Sequence, residues 1–253
     1  MALPLLDARE LVKHYGSVEA LRGASFTVRA GEVVALVGDN GAGKSTLVKC
    51  LSGVERPDSG TISLDGAPVV LDSPVAARSL GIETVYQDLA VAPDLDPAAN
   101  LFLGRELRRR GLLGRLGVLD KREMRRRAVA SFDDLGVSLP DVDVPIGQLS
   151  GGQRQSVAVA RSVVWASRVV FMDEPTAALG VVQRKRVLDV IRRVRDQGMA
   201  VVLISHNMPE VLAVADRVEV LRLGRRVARF DAASTTVEEL VGAMTGALSQ
   251  GDS

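Results

Sequence analysis

Lys44 and Ser45 close the run Gly38-Asp39-Asn40-Gly41-Ala42-Gly43-Lys44-Ser45, and these residue types at this spacing can hold a chain of phosphates. Glycines let backbone N–H groups converge on phosphate oxygens, and a helix opening at the end of the run adds partial positive charge there. Lys44 can reach β- and γ-phosphates, and the Ser45 hydroxyl is a hard-oxygen ligand for Mg²⁺. Gly38, Asn40, Gly41, Ala42, Gly43 and Thr46 complete this cradle. A second glycine-rich run, Leu149-Ser150-Gly151-Gly152-Gln153, places Ser150 to cap a helix starting near Gly151, with its hydroxyl and free N–H groups directed at an anion. One nucleotide needs one cradle per chain. The second therefore predicts a partner subunit.

Two more positions could do chemistry. The apolar run Val169-Val170-Phe171-Met172 ends in Asp173-Glu174, so two carboxylates meet solvent at the carboxyl edge of a sheet, where α/β sheets bind ligands. Asp173 is placed to hold a Mg²⁺ shell, directly or through water. Ile204-Ser205-His206 ends the next apolar run, and an imidazole there can contact a γ-phosphate and orient water.

The elements that must position these groups follow from local pattern. Residues 5–30 read as short antiparallel strands, and Val33–Val37 as the apolar strand feeding the first cradle. Further strands are expected at Gly60–Leu64 and Val69–Leu71. Ser73-Pro74 reads as an N-cap with proline in the first helical position, and that helix stops at Gly81 before the strand Ile82–Tyr86, leaving Gln87 at a strand end. From Asp88 to about Gly147 the chain turns helical, with Asp120-x-x-Glu123 as a capping box for a helix to Leu135. Strand and helix then alternate over Arg168–Met172, Val181–Gln197, Met199–Ile204, Met208–Ala215 and Arg217–Leu223, which predicts a largely parallel sheet covered by helices. Trp165 lies on the apolar side of the helix after Gly152 and reads as core. His14 reads as solvated.

The Leu-Ser-Gly-Gly-Gln run followed by Arg154-Gln155 resembles the signature of ABC-type ATPases, and the chain carries that family's other motifs in order. The resemblance implies a P-loop α/β fold with a mainly parallel sheet core, an antiparallel β subdomain and a helical subdomain. It implies one domain over 1–253, with a catalytic core in 1–87 and 148–230, a helical subdomain in 88–147 and a tail in 231–253. It further implies Mg²⁺-dependent ATP hydrolysis in a head-to-tail dimer with two ATP at the interface, where Ser150, Gly151, Gly152 and Gln153 cap the γ-phosphate on the opposite P-loop. Glu174 then resembles the general base that polarises the attacking water, with Lys44 and His206 as its catalytic companions. Ser45, Gln87 and Asp173 match the Mg²⁺ positions, and Tyr15 matches the aromatic residue that stacks on adenine.

Where most of the family has aspartate after Ala-Leu, this chain has Ala178-Leu179-Gly180, so any interface contact of that aspartate is missing. Carbohydrate importers of the ribose, xylose and fructose type are similar in carrying Gly there. Tyr86–Pro93, Asn100–Glu106 and Ser205-His206-Asn207-Met208-Pro209 also look like that group, and a single module looks like the fructose-type arrangement. The resemblance implies permease subunits as partners, a second copy or homologous ATPase subunit, and indirectly an extracytoplasmic sugar-binding protein.

Composition agrees. The chain has 253 residues, is 47% hydrophobic and carries a net charge of +1, so it can build a sizeable core and has no bulk attraction to polyanions; no nucleic-acid partner is expected. The lone Cys50 cannot make an internal disulfide, which fits a reducing cytoplasm. No apolar run reaches the length needed to span a bilayer, and the start lacks a signal peptide's basic residues, so a peripheral place on the cytoplasmic face of the membrane is expected, with separate proteins forming any pore. The alternative is a non-transport ABC ATPase acting on nucleic acid or ribosomes. Aromatics are only 3% of the chain, so sugar specificity is expected to reside elsewhere. Residues 105–127 hold ten arginines and lysines against three acids, readable as a solvated face, a contact with permease or anionic lipid, or a nucleic-acid patch.

Overall fold

A computed structural model describes residues 3–85, 91–139, 141–177 and 179–247. In chain order it contains β1 (Leu6–Tyr15), β2 (Val18–Val28), β3 (Val33–Val37), α1 (Lys44–Leu51), β4 (Ser59–Leu64), β5 (Ala67–Pro68), α2 (Pro74–Ser79) and β6 (Ile82–Val85). Then come α3 (Pro97–Leu101), α4 (Leu112–Arg115), α5 (Lys121–Leu135), α6 (Gly151–Trp165), β7 (Val169–Asp173), α7 (Val181–Asp196), β8 (Ala200–Ile204), α8 (Met208–Val214), β9 (Arg217–Arg222), β10 (Arg225–Asp231) and α9 (Val237–Thr245).

The chain forms two compact units, one from Met1–Thr84, Ala166–Glu174 and Ile191–Ser253, the other from Val85–Trp165 and Pro175–Val190. The second is wider than 88–147, because α6 and the start of α7 group with it. In the first unit a six-stranded sheet runs in the order β10-β9-β3-β8-β7-β6, with β3 parallel to both β8 and β9, and β7 parallel to β8. β3 lies inside this sheet, and all five of its residues are buried, as expected for a strand covered on both faces. On one face Val34 and Leu36 pack with Phe171, Val202, the α1 residues Leu47, Cys50 and Leu51, and Leu6, Leu11 and Phe26 of the antiparallel sheet β2-β1-β4-β5. On the other, Ala35 and Val37 pack with Met208 and Val211 of α8 and Leu240 and Ala243 of α9.

Several expectations needed correction. The strand after Leu64 is Ala67–Pro68 rather than Val69–Leu71, because the Asp65-Gly66 turn returns the chain at once and pairs Ala67 with Leu64. β10 and α9 were not anticipated; a Thr236–Glu239 capping box opens α9. Only half of the capping box expected at α5 forms: Asp120 accepts from the Glu123 N–H, but the Glu123 carboxylate accepts from Arg126 and Arg127 instead. His14 is exposed, as expected, and its Nδ1 also lies 3.0 Å from an Asp58 carboxylate oxygen. Trp165 is half-buried, edge-on to Phe102 at 5.5 Å, with its Nε1 donating to the Leu101 carbonyl. Glu219, fully buried on β9, is held by Arg217, Arg226 and Arg229.

Candidate functional site

In the first unit, β3 delivers the chain to the Gly38–Ser45 loop, and α1 starts at Lys44. Gly43 has φ 102°, and a Cβ there would come within 2.8 Å of the Ala20 carbonyl oxygen, so glycine is required for the loop to pass this close to β2. The Lys44 ammonium folds back and donates to the carbonyls of Gly38 (2.6 Å) and Asp39 (3.0 Å). Burial lowers the Lys44 pKa from its ordinary value, against the opposing pull of Glu174, Asp39 and Asp173. Ser45 and Thr46 follow in the first turn of α1. Tyr15, at the end of β1, is 40% exposed, with the Lys13 ammonium 5.8 Å from its ring centroid.

Asp173 is the last residue of β7. Burial raises its pKa, the neighbouring Glu174 raises it further, and Lys44 pulls the other way. Glu174 follows with φ 49°, a left-handed conformation that non-glycine residues adopt at a cost. Its backbone N–H donates to the Ile204 carbonyl (2.9 Å), and its carboxylate Oε1 lies 2.8 Å from Nδ1 of His206. Parallel pairing of β7 with β8 sets this up, because Asp173 aligns with Ile204 and the two strand ends release Glu174 and Ser205-His206 side by side. Lys44, Asp173, Glu174 and His206 thus form one electrostatically coupled cluster. Gln87 lies outside the described residues.

The Ser150–Gln153 run lies in the second unit. The Ser150 hydroxyl accepts from the Gln153 N–H (3.3 Å), and the Gln153 Oε1 accepts from the Ser150 N–H (2.8 Å). This reciprocal cap bears out the expected helix start and was readable in Ser-x-x-Gln. Not legible was the residue that covers Gly152: a Cβ on that glycine would overlap Cγ of Gln183 on α7. Ser150, Gly152, Gln153, Ser156, Gln183 and Arg186 line a cavity of about 90 Å³.

No cluster of three His, Cys, Asp or Glu side chains suited to a metal occurs among the described residues. The Asp173 carboxylate and the Ser45 hydroxyl are nevertheless hard oxygen donors. Burial and Glu174 disfavour charge on Asp173, a deficit that a divalent cation would reverse, so the donor set fits an ion whose remaining ligands are phosphate oxygens and water.

Comparison with known proteins gives the same picture. Residues 21–177 match the family model described as ABC transporter. The chain is 50% identical over 246 residues to a fructose import ATP-binding protein of Rhizobium meliloti, covering 96% of this chain and 95% of that one. It is 45% identical to a xylose/arabinose import ATP-binding protein of Sulfolobus acidocaldarius, covering 95% and 94%. A ribose import ATP-binding protein of Chromobacterium violaceum is 43% identical over 94% of this chain but only 46% of its own length. Among solved structures, the ADP conformation of an ATP-binding cassette of an ABC transporter aligns with a TM-score of 0.79 at 25% identity over 96% of both chains.

Proposed function

The chain belongs to the ABC transporter family, and on that premise we propose that it is the ATP-hydrolysing subunit of an importer that carries a monosaccharide through a separate permease. ATP hydrolysis rests on one observation above the others: the Glu174–His206 contact of 2.8 Å, at the strand ends whose charges couple to Lys44. The sugar class rests on relatives alike over nearly their whole length, with fructose and xylose/arabinose import in their names, which favours transport over action on nucleic acid.

In this reading Gly38–Thr46 cradles the phosphates and Tyr15 stacks on the adenine. Lys44 leaves the Gly38 and Asp39 carbonyls to contact the β- and γ-phosphates, where a charge-assisted contact also stabilises the charge developing in the transition state. Glu174 takes the proton from the attacking water, and His206 fixes the orientation of that carboxylate and touches the γ-phosphate. Ser45, Asp173 and Gln87 would hold Mg²⁺, which would supply positive charge against the phosphates. Ser150 to Gln153 of a second copy or a homologous subunit would close over the γ-phosphate, a pairing that two-fold symmetry completes. The subunit would work peripherally at the cytoplasmic face of the membrane, its permease fed by an extracytoplasmic sugar-binding protein. No helix among the described residues is long and apolar enough to cross a membrane.

Uptake of labelled fructose, ribose, xylose and glucose in a strain lacking this subunit tests the proposal. Uptake of one sugar should be lost, restored by the intact chain and not by Glu174→Gln; unaltered uptake of every sugar would refute sugar import.

A further inference from the structure

The arginine-rich stretch resolves into a built projection rather than a uniformly solvated face. Residues 107–120 fold back on themselves, with the bridge Arg108–Leu119 flanked by the bonds Arg109 N–H to Val118 O (2.9 Å) and Asp120 N–H to Leu107 O (2.7 Å). The short α4 forms the tip. Gly114 packs so tightly there that a Cβ would overlap the Arg109 carbonyl oxygen. This closed tip holds apolar side chains outward: Leu112 is 73% and Leu116 72% exposed, with Leu113 and Val118 beside them also exposed.

Most arginines at the base of the stretch are engaged, Lys121 and Arg122 being exposed without an acidic partner among the described residues, whereas none of those at its tip is. Arg126 and Arg127 bind Glu123, Arg125 binds Asp143, Arg105 stacks on Trp165, and Arg108 lies near Glu106. Among the described residues, Arg109, Arg110 and Arg115 are exposed and have no acidic partner. Leucines surrounded by unpaired arginines have the chemistry of an interfacial anchor, in which the apolar groups enter the acyl boundary and the guanidinium groups meet phosphate headgroups. The neighbouring apolar groove of about 460 Å³ differs, since Asp96, Glu106 and Asp143 share its rim with Lys121 and Arg125. Mixed charge there selects no polyanion.

We propose that the 108–118 tip docks on the surface of an anionic lipid bilayer, with Leu112 and Leu116 inserted and Arg109, Arg110 and Arg115 on headgroup phosphates. This rests on the membrane-peripheral reading above but involves none of the nucleotide residues.

The test is flotation of the purified full chain with protein-free vesicles, either phosphatidylcholine alone or phosphatidylcholine mixed with phosphatidylglycerol. Binding should require phosphatidylglycerol and weaken as salt is raised. Arg109→Gln with Arg110→Gln and Arg115→Gln should cut partitioning on the order of a hundredfold. Leu112→Ser with Leu116→Ser should abolish insertion, and both sets should keep the wild-type melting temperature and basal ATP hydrolysis. Equal binding to both vesicle types, or binding unaffected by either set, overturns the proposal. So does a chain that ignores protein-free vesicles but loses binding to permease-containing ones in these variants, which would make the tip a protein-docking surface. Vesicle binding by a chain that hydrolyses no ATP would leave the tip assigned and remove the transport reading; ATP-driven uptake unchanged by the tip variants, without vesicle binding, would do the reverse.

Discussion

Oε1 of Glu174 lies 2.8 Å from Nδ1 of His206, and the two side chains differ sharply in exposure, 15% against 81%. An imidazole open to solvent therefore restrains a carboxylate that is mostly enclosed, on a residue whose backbone is already held at φ 49°. Groups engaged with each other in this way should act as a unit.

That coupling gives the first expectation. Glu174→Gln removes the base but keeps shape and hydrogen-bonding capacity, so single-turnover hydrolysis should fall about 10² to 10⁴-fold, or about 2.7–5.4 kcal/mol in barrier, while ATP binding survives. His206→Ala should slow turnover by a smaller factor. The double variant should be little slower than Glu174→Gln alone, because the carboxylate that His206 orients is already gone. Multiplicative losses would show that His206 acts independently of Glu174, and a near-normal rate for Glu174→Gln would remove Glu174 from the chemistry.

Lys44 and Asp173 carry a prediction about stability without nucleotide. Lys44 has a folded-state pKa below its unfolded value through burial, so its protonated form weakens the empty fold at neutral pH, and the penalty fades only as pH rises towards the unfolded lysine value. Asp173 is the mirror case. Its folded-state pKa is raised by burial and Glu174, so its penalty is absent below the unfolded aspartate value and grows as pH rises through the folded one. Lys44→Ala and Asp173→Asn should therefore melt no lower than wild type at neutral pH in the absence of ATP, yet hydrolyse no ATP. A clear drop in either apo melting temperature would show that these charges support the fold.

Cys50 offers a probe of the α1 core. It lies on the buried face of α1 itself, and burial pushes its thiol up to about 11. Little thiolate forms at pH 8, so alkylation should be slow in the folded chain and fast in denaturant. Rapid labelling of the native protein would mean that α1 opens readily.

How far the sequence reached depended on whether a residue's partners were local. The β3–loop–α1 unit, the Ser73 cap of α2 and the Ser150–Gln153 cap are built from neighbours, so spacing alone revealed them. β10 was missed because its seven residues include three arginines and bury only Ala228 and Phe230. Arg226 and Arg229 look solvent-facing in the sequence, but they turn to Glu219 on β9, a partner no local pattern announces. The positive φ of Glu174 and the packing of Gln183 on Gly152 are likewise products of tertiary contact. The motifs named the chemistry, and the long-range partners decide its geometry.

The contact between Gln183 and Gly152 yields the last prediction. A Cβ on Gly152 would overlap Cγ of Gln183, and one on Gly180 would lie 2.8 Å from its Oε1, so this one side chain occupies the space over both glycines. Gly152→Ala must displace Gln183 or the start of α6, and overpacking of this kind costs about 1–3 kcal/mol. Because Ser150 and Gln153 cap that helix start, the displacement should also disturb the anion-facing groups, lowering ATP hydrolysis more than ATP binding by the monomer. Gln183→Ala alone removes atoms from a half-buried site and should be mild. In the double variant the clashing Cγ is gone, although the remaining Cβ pair would still approach to 3.0 Å. Melting temperature and hydrolysis should therefore recover at least half of the Gly152→Ala loss, a coupling measurable by a double-mutant cycle. Strictly additive losses would show that Gln183 does not constrain the signature helix.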